Sequence, residues 1–583
     1  MTLLLEAKPP LTRKRWGRWL FAGILFVLFA WVGWCAHLVT SAKRDLQVAQ
    51  AELKSLTDKD SLKALLDGDR QRLLDAQARL HSAKNDLGSP MLSLAQPLPF
   101  LGRQINSARA LTGTANGVLD AAVETTGELT PARREGLSRI QLLDAIAVGS
   151  KRMTTAIDQG DLGPASGLLV SLSNGRAELA RQLLKIRKPL DRANFAIPGL
   201  RRMIVGPTKL LVVGANNAQM AAGSGLPLEV TTADIVDGHM TVGSFVSTGA
   251  IRVPDGGVQL PSELQQLWAF ATPQDTMVRA VVTPRFDVTA PILAAQYTTA
   301  TKTPVDGVLM IDIVGLQKLV AASGASTDPN ALPADKIIDE LMHNQYLSLD
   351  TTKPETNVAR REKLGQVARV ALTDLLNPKL SVVDLARALS ESAAGRHLLM
   401  WSRLPDEQQA MQALRVGGEL TAQSVSVSLL NAGANKIDWF TRVAGKVTVG
   451  PVVGNERQVD VAVTVSSVVP DGLPQYSAGP GIPAAEYGDY IGYFTINVPG
   501  VATKMHLGDG SALIVDGPDG PTRTIGQLLI LKRNTKREVT FSFTLPANFP
   551  LLRIEPSGRY PAVAWSSGDQ SWTDDQARTL PLS

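Results

Sequence analysis

From Trp19 to Val39 the chain carries no charged residue. A run of about 20 apolar residues at about 1.5 Å each matches a hydrocarbon core of about 30 Å, so it predicts a membrane-spanning helix. Lys8, Arg13, Lys14, Arg15 and Arg18 precede the run, and only Lys43 and Arg44 follow before Asp45. That bias predicts a cytoplasmic basic tail over 1–18, a transmembrane helix over 19–39 and an extracytoplasmic bulk. The run is longer than the apolar core of a signal peptide, and Trp34 stands where lipoprotein processing of Cys35 wants a small residue, which favours an anchor over cleavage.

Cys35 is the only cysteine. Its isolation excludes an intramolecular disulfide and a cysteine-ligated metal site, and an exported chain without disulfides points to a bacterial cell membrane. A net charge of +5 is thin over 583 residues, and aromatic residues make up 5%. With no basic stripe interleaved with stacking rings, nucleic acid is not an expected partner.

Beyond the apolar run the texture changes three times. Leu66, Leu73, Leu80 and Leu87 recur every seven residues, with Leu62, Ala76 and Ala83 on the adjacent seam. This heptad pattern reads as a coiled-coil stalk or as one arm of a helical bundle, which allows self-association or a partner protein through the stalk. Ala-rich helical patterns continue past the break Gln96-Pro-Leu-Pro-Phe-Leu-Gly102, giving a helical region over 40–200. Over 208–420, strands such as KLLVVGAN, LEVTTADIVDG, VRAVVTPRF and GVLMIDI alternate with helices, which predicts an α/β domain. Over 421–583, short alternating strands predict an antiparallel β-sandwich. The expected fold class is therefore a transmembrane helix, a helical stalk or bundle, a central α/β domain and a C-terminal sandwich.

The familiar catalytic signatures are missing. The six histidines, at 37, 81, 239, 343, 397 and 506, include no pair at the spacing that joins two imidazoles on one helix face, and the chain has neither a GxSxG elbow nor a Walker A loop. The candidates that remain lie in the α/β region. Asn216 and Asn217 follow a buried strand and precede AAGSG, where amides can hold an anionic group or merely brace a turn. Arg285 and Asp287 follow another apolar run, with Asp287 placed to cap the next helix. Arg360 and Arg361 suit a diphosphate by bidentate hydrogen bonding, or surface pairing with Glu355 and Glu362.

The VVGANNAQM strand with its small residues, the VDGVLMIDIVGLQKLVAASG block at 305–324 and NKIDWF at 435–440 resemble an actinobacterial single-pass membrane family of unknown function, the domain of unknown function numbered four thousand and twelve. The stretch from Asp287 to Gly324, followed by adjacent arginines, also resembles the LytR-CpsA-Psr domain. That second resemblance implies transfer of glycopolymers from a polyprenyl-pyrophosphate carrier with arginines, acidic residues and magnesium. In this chain Arg285, Arg360 and Arg361 would hold the pyrophosphate and Asp287 or Asp306 the metal. GANNAQMAAGSG stands where those enzymes carry an Arg-Ser-Asp-Thr-like element, and it supplies no acidic ligand. The leading expectation is thus non-enzymatic and without a cofactor: an envelope protein binding or scaffolding in surface glycopolymer assembly or attachment. The alternative is a metal-dependent glycopolymer phosphotransferase with a rearranged site.

Overall fold

The computed structural model describes residues 70–130, 137–323, 332–347, 365, 367–373, 380–479, 481–483 and 485–582. The described chain falls into two compact units, one reaching Leu137 and including Gln141–Asn194, the other made of Ser138–Ile140 and Phe195–Ser583.

The first unit is helical. Helices α1 (Gln71–Gly88), α2 (Pro99–Glu128), α3 (Arg139–Asp158) and the first part of α4 (Val170–Val205) bury one shared seam. Leu73, Ala76 and Leu80 of the heptad pack with Leu111, Ala115, Val118 and Leu119 of α2 and with Leu179, Leu183 and Ile186 of α4. The seven-residue spacing is used inside one chain, because a stripe repeating every 3.5 residues is buried equally well by a neighbouring helix of the same bundle.

Two expectations about the membrane are corrected here. Among the described residues no helix is long and apolar enough to cross a membrane. The longest, α4, carries Arg176, Arg181, Lys185, Arg187, Lys188 and Arg192, and charges of that density are too costly in hydrocarbon. The span read at 19–39 and the basic tail at 1–18 lie outside the described residues. The single-pass membrane architecture and the cell-membrane placement are therefore not retained.

The second unit contains three sheets. The first has the order β3-β2-β1-β4-β5, from β1 (Thr208–Ala221), β2 (Ser224–Val236), β3 (His239–Val242), β4 (Gly307–Asp312) and β5 (Leu398–Ser402), with a two-residue strand Val246–Ser247 on β2. β1 and β4 are parallel, with Leu210 beside Gly307 and Ala215 beside Asp312. Between them the chain passes through α5 (Phe286–Thr301), and α6 (Ile313–Ser323) leaves the end of β4. The strand expected at VRAVVTPRF is a 3-10 turn over Met277–Arg279 followed by irregular chain. Val281 and Val282 are buried there, so the apolar run reports burial rather than pairing.

The other two sheets face each other. One has the order β11-β12-β9-β6-β14-β17, from β6 (Ser424–Asn431), β9 (Tyr490–Pro499), β11 (Val515–Asp519), β12 (Thr522–Leu531), β14 (Leu551–Ile554) and β17 (Arg578–Pro581). The other is β10-β13-β8-β7-β15-β16, from β7 (Thr441–Val453), β8 (Glu456–Ser467), β10 (Thr503–Leu507), β13 (Lys536–Pro546), β15 (Ala564–Ser567) and β16 (Gln570–Thr573). Along β7, residues 441–448 alternate buried and exposed, as a half-buried strand should. The expected antiparallel sandwich is mixed: β14 lies parallel to β6 and β15 parallel to β7. Both strands arrive by crossovers, and only neighbours joined by a hairpin must run antiparallel.

Candidate functional site

In open α/β sheets, ligands gather at the carboxyl ends of the parallel strands. Here that place is the end of β1 and β4. The pairing of β1 with β2 slips between Asn216 and Met220, so Asn217, Ala218 and Gln219 have no partner across the ladder. Gly225 lies opposite, where a Cβ would come within 2.6 Å of the Asn216 carbonyl carbon, so the slip needs a glycine. The bulge's backbone donors are met by side chains: the Ala218 amide donates to Asn216 Oδ1 at 2.8 Å and the Met220 amide to Asp438 Oδ2 at 3.1 Å.

Both asparagines are fully buried, and Asn217 Oδ1 has no hydrogen-bond partner among the described residues. Asn216 Nδ2 donates to the Tyr346 hydroxyl at 2.7 Å. Asn217 Nδ2 donates to Asp312 Oδ2 at 2.7 Å and to the Gly558 carbonyl at 2.8 Å. Asp312 ends β4 and also receives the Gly315 amide of α6 on Oδ1 at 2.9 Å, which starts that helix with a side-chain acceptor. Its Oδ2 lies 2.7 Å from His397 Nδ1. The cross-strand register explains the pair: Ile311 faces Leu398, which sets Asp312 beside His397. A Cβ on Gly315 would come within 2.3 Å of the His397 carbonyl oxygen, so that helix turn is also reserved for glycine.

The sandwich supplies the rest of this hub. Asp438, fully buried, accepts the Asn431 amide at 2.9 Å, and its Oδ1 lies 2.9 Å from Arg559 Nη1. Arg559 is itself buried, and its Nε, Nη1 and Nη2 make no hydrogen bond among the described residues, so its contact with Asp438 is an ion pair. Burial and the Asp438 charge push the Tyr490 hydroxyl well above the usual phenol range, so it stays a donor to that carboxylate. Lys436 donates to Gln219 Oε1 at 2.6 Å, again across the junction of the first sheet with the sandwich. A cavity beside Asp312, lined by Gly214, Ala215, Glu229, Phe245, Ile311 and Leu316 among others, measures about 10 Å³. That is room for about one water, far short of a lipid carrier.

Arg285 belongs to a different cluster. Its Nη1 donates to Asp519 Oδ1 at 3.2 Å and its Nη2 to Asp287 Oδ2 at 3.1 Å, with Glu263 Oε2 3.8 Å away. Burial opposes the Arg285 charge, but Asp287 and Asp519 outweigh it and hold its pKa above the ordinary value. Burial pushes the Asp287 carboxyl up, with Arg285 holding it back in part, and burial also raises Glu419 nearby. Asp519 and Asp287 thus occupy both Nη groups of Arg285, the fork that a pyrophosphate would need. Asp287 does not cap α5: Arg285 holds the cap position without a side-chain bond, and Asp287 sits in the first turn, where its charge suits the helix dipole.

Among the described residues, the expected metal ligands do not converge. Asp306, beyond the far end of α5, receives the Lys209 amide on Oδ2 at 2.8 Å and Arg403 Nε on Oδ1 at 2.9 Å. Sixteen residues of α5 separate the Asp287 and Asp306 ends, a length of about 24 Å at 1.5 Å per residue. The two cannot share one magnesium ion. Asp306 and Asp312 likewise bracket the whole of β4. Arg360 and Arg361 lie outside the described residues. Among those residues no group of three His, Cys, Asp or Glu side chains is placed to hold a metal.

Residues 205–346 match the model of a family described as a protein of unknown function, DUF4012. The DUF4012 region thus contains β1, β2, β4 and α6, and with them Asn216, Asn217, Asp312 and Tyr346. Its partners in the hub, His397, Asp438, Gly558 and Arg559, come from beyond the match. No curated protein and no solved structure matches the chain. Sequence reasoning missed Asp312, His397 and Arg559. NKIDWF holds Asp438 and was the one available signal, since an acidic residue between Ile437 and Trp439 has to be buried with a partner.

Proposed function

We propose that this protein performs no chemistry of its own and acts as a binding or scaffolding component in surface glycopolymer assembly or attachment. The observation that supports the non-catalytic part is the state of Arg285, whose guanidinium is already taken by Asp287 and Asp519. The side-chain amide nitrogens of Asn216 and Asn217 are likewise engaged, and the cavity beside Asp312 has room for about one water. The class of ligand rests on the resemblance of the stretch from Asp287 to Gly324 to the LytR-CpsA-Psr domain. Binding belongs to an outer surface of the α/β domain and sandwich, not to the closed strand end.

The test uses the full chain with purified envelope glycopolymers and polyprenyl-pyrophosphate-linked glycans. Saturable binding with the donor recovered intact is the expected result. Lack of binding to either class would sink the proposal, and release of polyprenyl phosphate on addition of magnesium would replace it with the transferase.

A further inference from the structure

The turn that joins α1 to α2 departs from an ordinary surface turn. The chain leaves α1 at Gly88, makes one short helical turn at Pro90–Ser93 and enters α2 at Pro99. Its polar groups hold the turn in place. Arg109 donates from Nε to the Leu87 carbonyl at 2.7 Å and from Nη2 to Ser93 Oγ at 3.0 Å, and Gln96 Nε2 donates to Asn106 Oδ1 at 2.9 Å. A Cβ on Gly102 would meet the Gln96 carbonyl oxygen at 2.0 Å, so the turn folds back on α2 where only glycine fits. Leu87, Leu92, Ala95 and Ile105 close a small core beneath it.

The remaining large apolar side chains are left outside. Met91, Leu94, Leu98, Phe100 and Leu101 are exposed. A second stretch joins them at this end of the bundle. Gln104 donates to the Gly167 carbonyl at 2.8 Å and accepts the Leu169 amide at 3.0 Å, which fixes the start of α4, with exposed Leu169 and Val170, beside the first turns of α2. These side chains are between 45% and 76% exposed. At about 200 Å² for a whole large side chain, such fractions leave roughly 700 Å² uncovered at one end, more than a monomer ordinarily shows in one patch.

The same end is almost without charge. Between Gly88 and Leu119 there is no aspartate or glutamate, and from Leu162 to Gly175 there is no charged residue. The first stretch carries Arg103 and Arg109. Arg109 is engaged within the turn, and Arg103 donates to the Ser166 carbonyl at 3.2 Å. An anionic lipid surface is drawn by clusters of Lys and Arg, which this end lacks. An uncharged face can meet an identical face without like-charge repulsion, and roughly 700 Å² per copy is close to the about 800 Å² per partner of a standard interface.

We infer that the chain pairs with a second copy of itself through this end of the helical unit, with Leu94, Leu98, Phe100 and Leu101 meeting the same patch of the other copy about a two-fold axis. The heptad seam cannot serve this purpose, because it is buried inside the bundle. The turn is already fixed by its own hydrogen bonds, so pairing orders little additional chain.

The experiment is sedimentation of the full chain without detergent, which would itself coat an apolar patch. Wild type is compared with the double variant Leu94→Asp with Phe100→Asp. Wild type should sediment at twice the mass of one chain at micromolar concentration, and the double variant, with unchanged circular dichroism, at the mass of one. A monomeric wild type overturns the inference, as does a dimer that survives in the double variant. A monomer that floats with phosphatidylglycerol vesicles would assign the patch to lipid and overturn it equally. If the double variant does not fold, disulfide trapping in whole-cell extract decides. The chain carrying Leu98→Cys with Cys35→Ser should cross-link to itself on mild oxidation about tenfold faster than one carrying Leu184→Cys with Cys35→Ser, because pairing raises the local concentration only at the patch. Leu184 is exposed, about 21 Å along α4 from Val170. Equal rates overturn the inference.

Discussion

The interior of the sandwich and its joint with the α/β domain are both buried, yet they are built in opposite ways. Inside the sandwich, Val459, Val461, Val463 and Val465 of β8 meet Phe494, Ile496, Ile525, Phe541 and Phe543 without a polar partner. At the joint, Asn217, Asp312 and His397 are buried and joined by hydrogen bonds, and Asp438 and Arg559 by a buried ion pair. An apolar interior accepts many similar packings, whereas a carboxylate 2.9 Å from a guanidinium accepts few. The sandwich core supplies drive, and the joint supplies geometry.

Removing one member of the joint should therefore cost more than trimming the interior. Asp438→Ala leaves the Arg559 charge buried and unpaired, and should destabilise by about 3–5 kcal/mol in denaturant unfolding. A loss near zero would show that Arg559 finds water. Replacing both, as Asp438→Leu with Arg559→Met, should recover much of that loss, because an apolar pair of similar volume removes both desolvation costs. Asn217→Ala strips Asp312 Oδ2 and the Gly558 carbonyl of a donor and should cost about 1–3 kcal/mol. Ile525→Val removes one methylene from the sandwich interior, at about 0.5–1.5 kcal/mol. Should Ile525→Val prove more costly than Asn217→Ala, the contrast between the two regions fails. On binding, in contrast to stability, the smallest effect is expected at Arg285→Ala: it leaves Asp519 without its ion pair but should not change the affinity of the folded protein for envelope glycopolymer, and a tenfold loss of affinity would make Arg285 a ligand contact.

Much of the architecture was legible. The strands of β1, β2, β4 and β9 show in the sequence because apolar runs and alternation report burial directly. VRAVVTPRF misled for the same reason, being buried without pairing. The parallel joins of β14 and β15 left no local trace, since strand direction depends on where a crossover returns. Arg285 and Asp287 stand out in the sequence, but their pairing does not, because Asp519 lies far along the chain in the sandwich. Asp312 and His397 are 85 residues apart and each alone resembles an ordinary strand terminus.

The sequence by itself determined the kinds of element and their order, since periodicity, glycine and proline act within a few residues of themselves. Tertiary structure alone decided which groups meet: the heptad seam against α2 and α4, Asn217 against Asp312, and Asp438 against Arg559. Such pairs depend on register and crossover, and a buried polar group offsets its desolvation only when its partner is buried with it. That is a property of the assembled interior, which no local stretch of chain possesses.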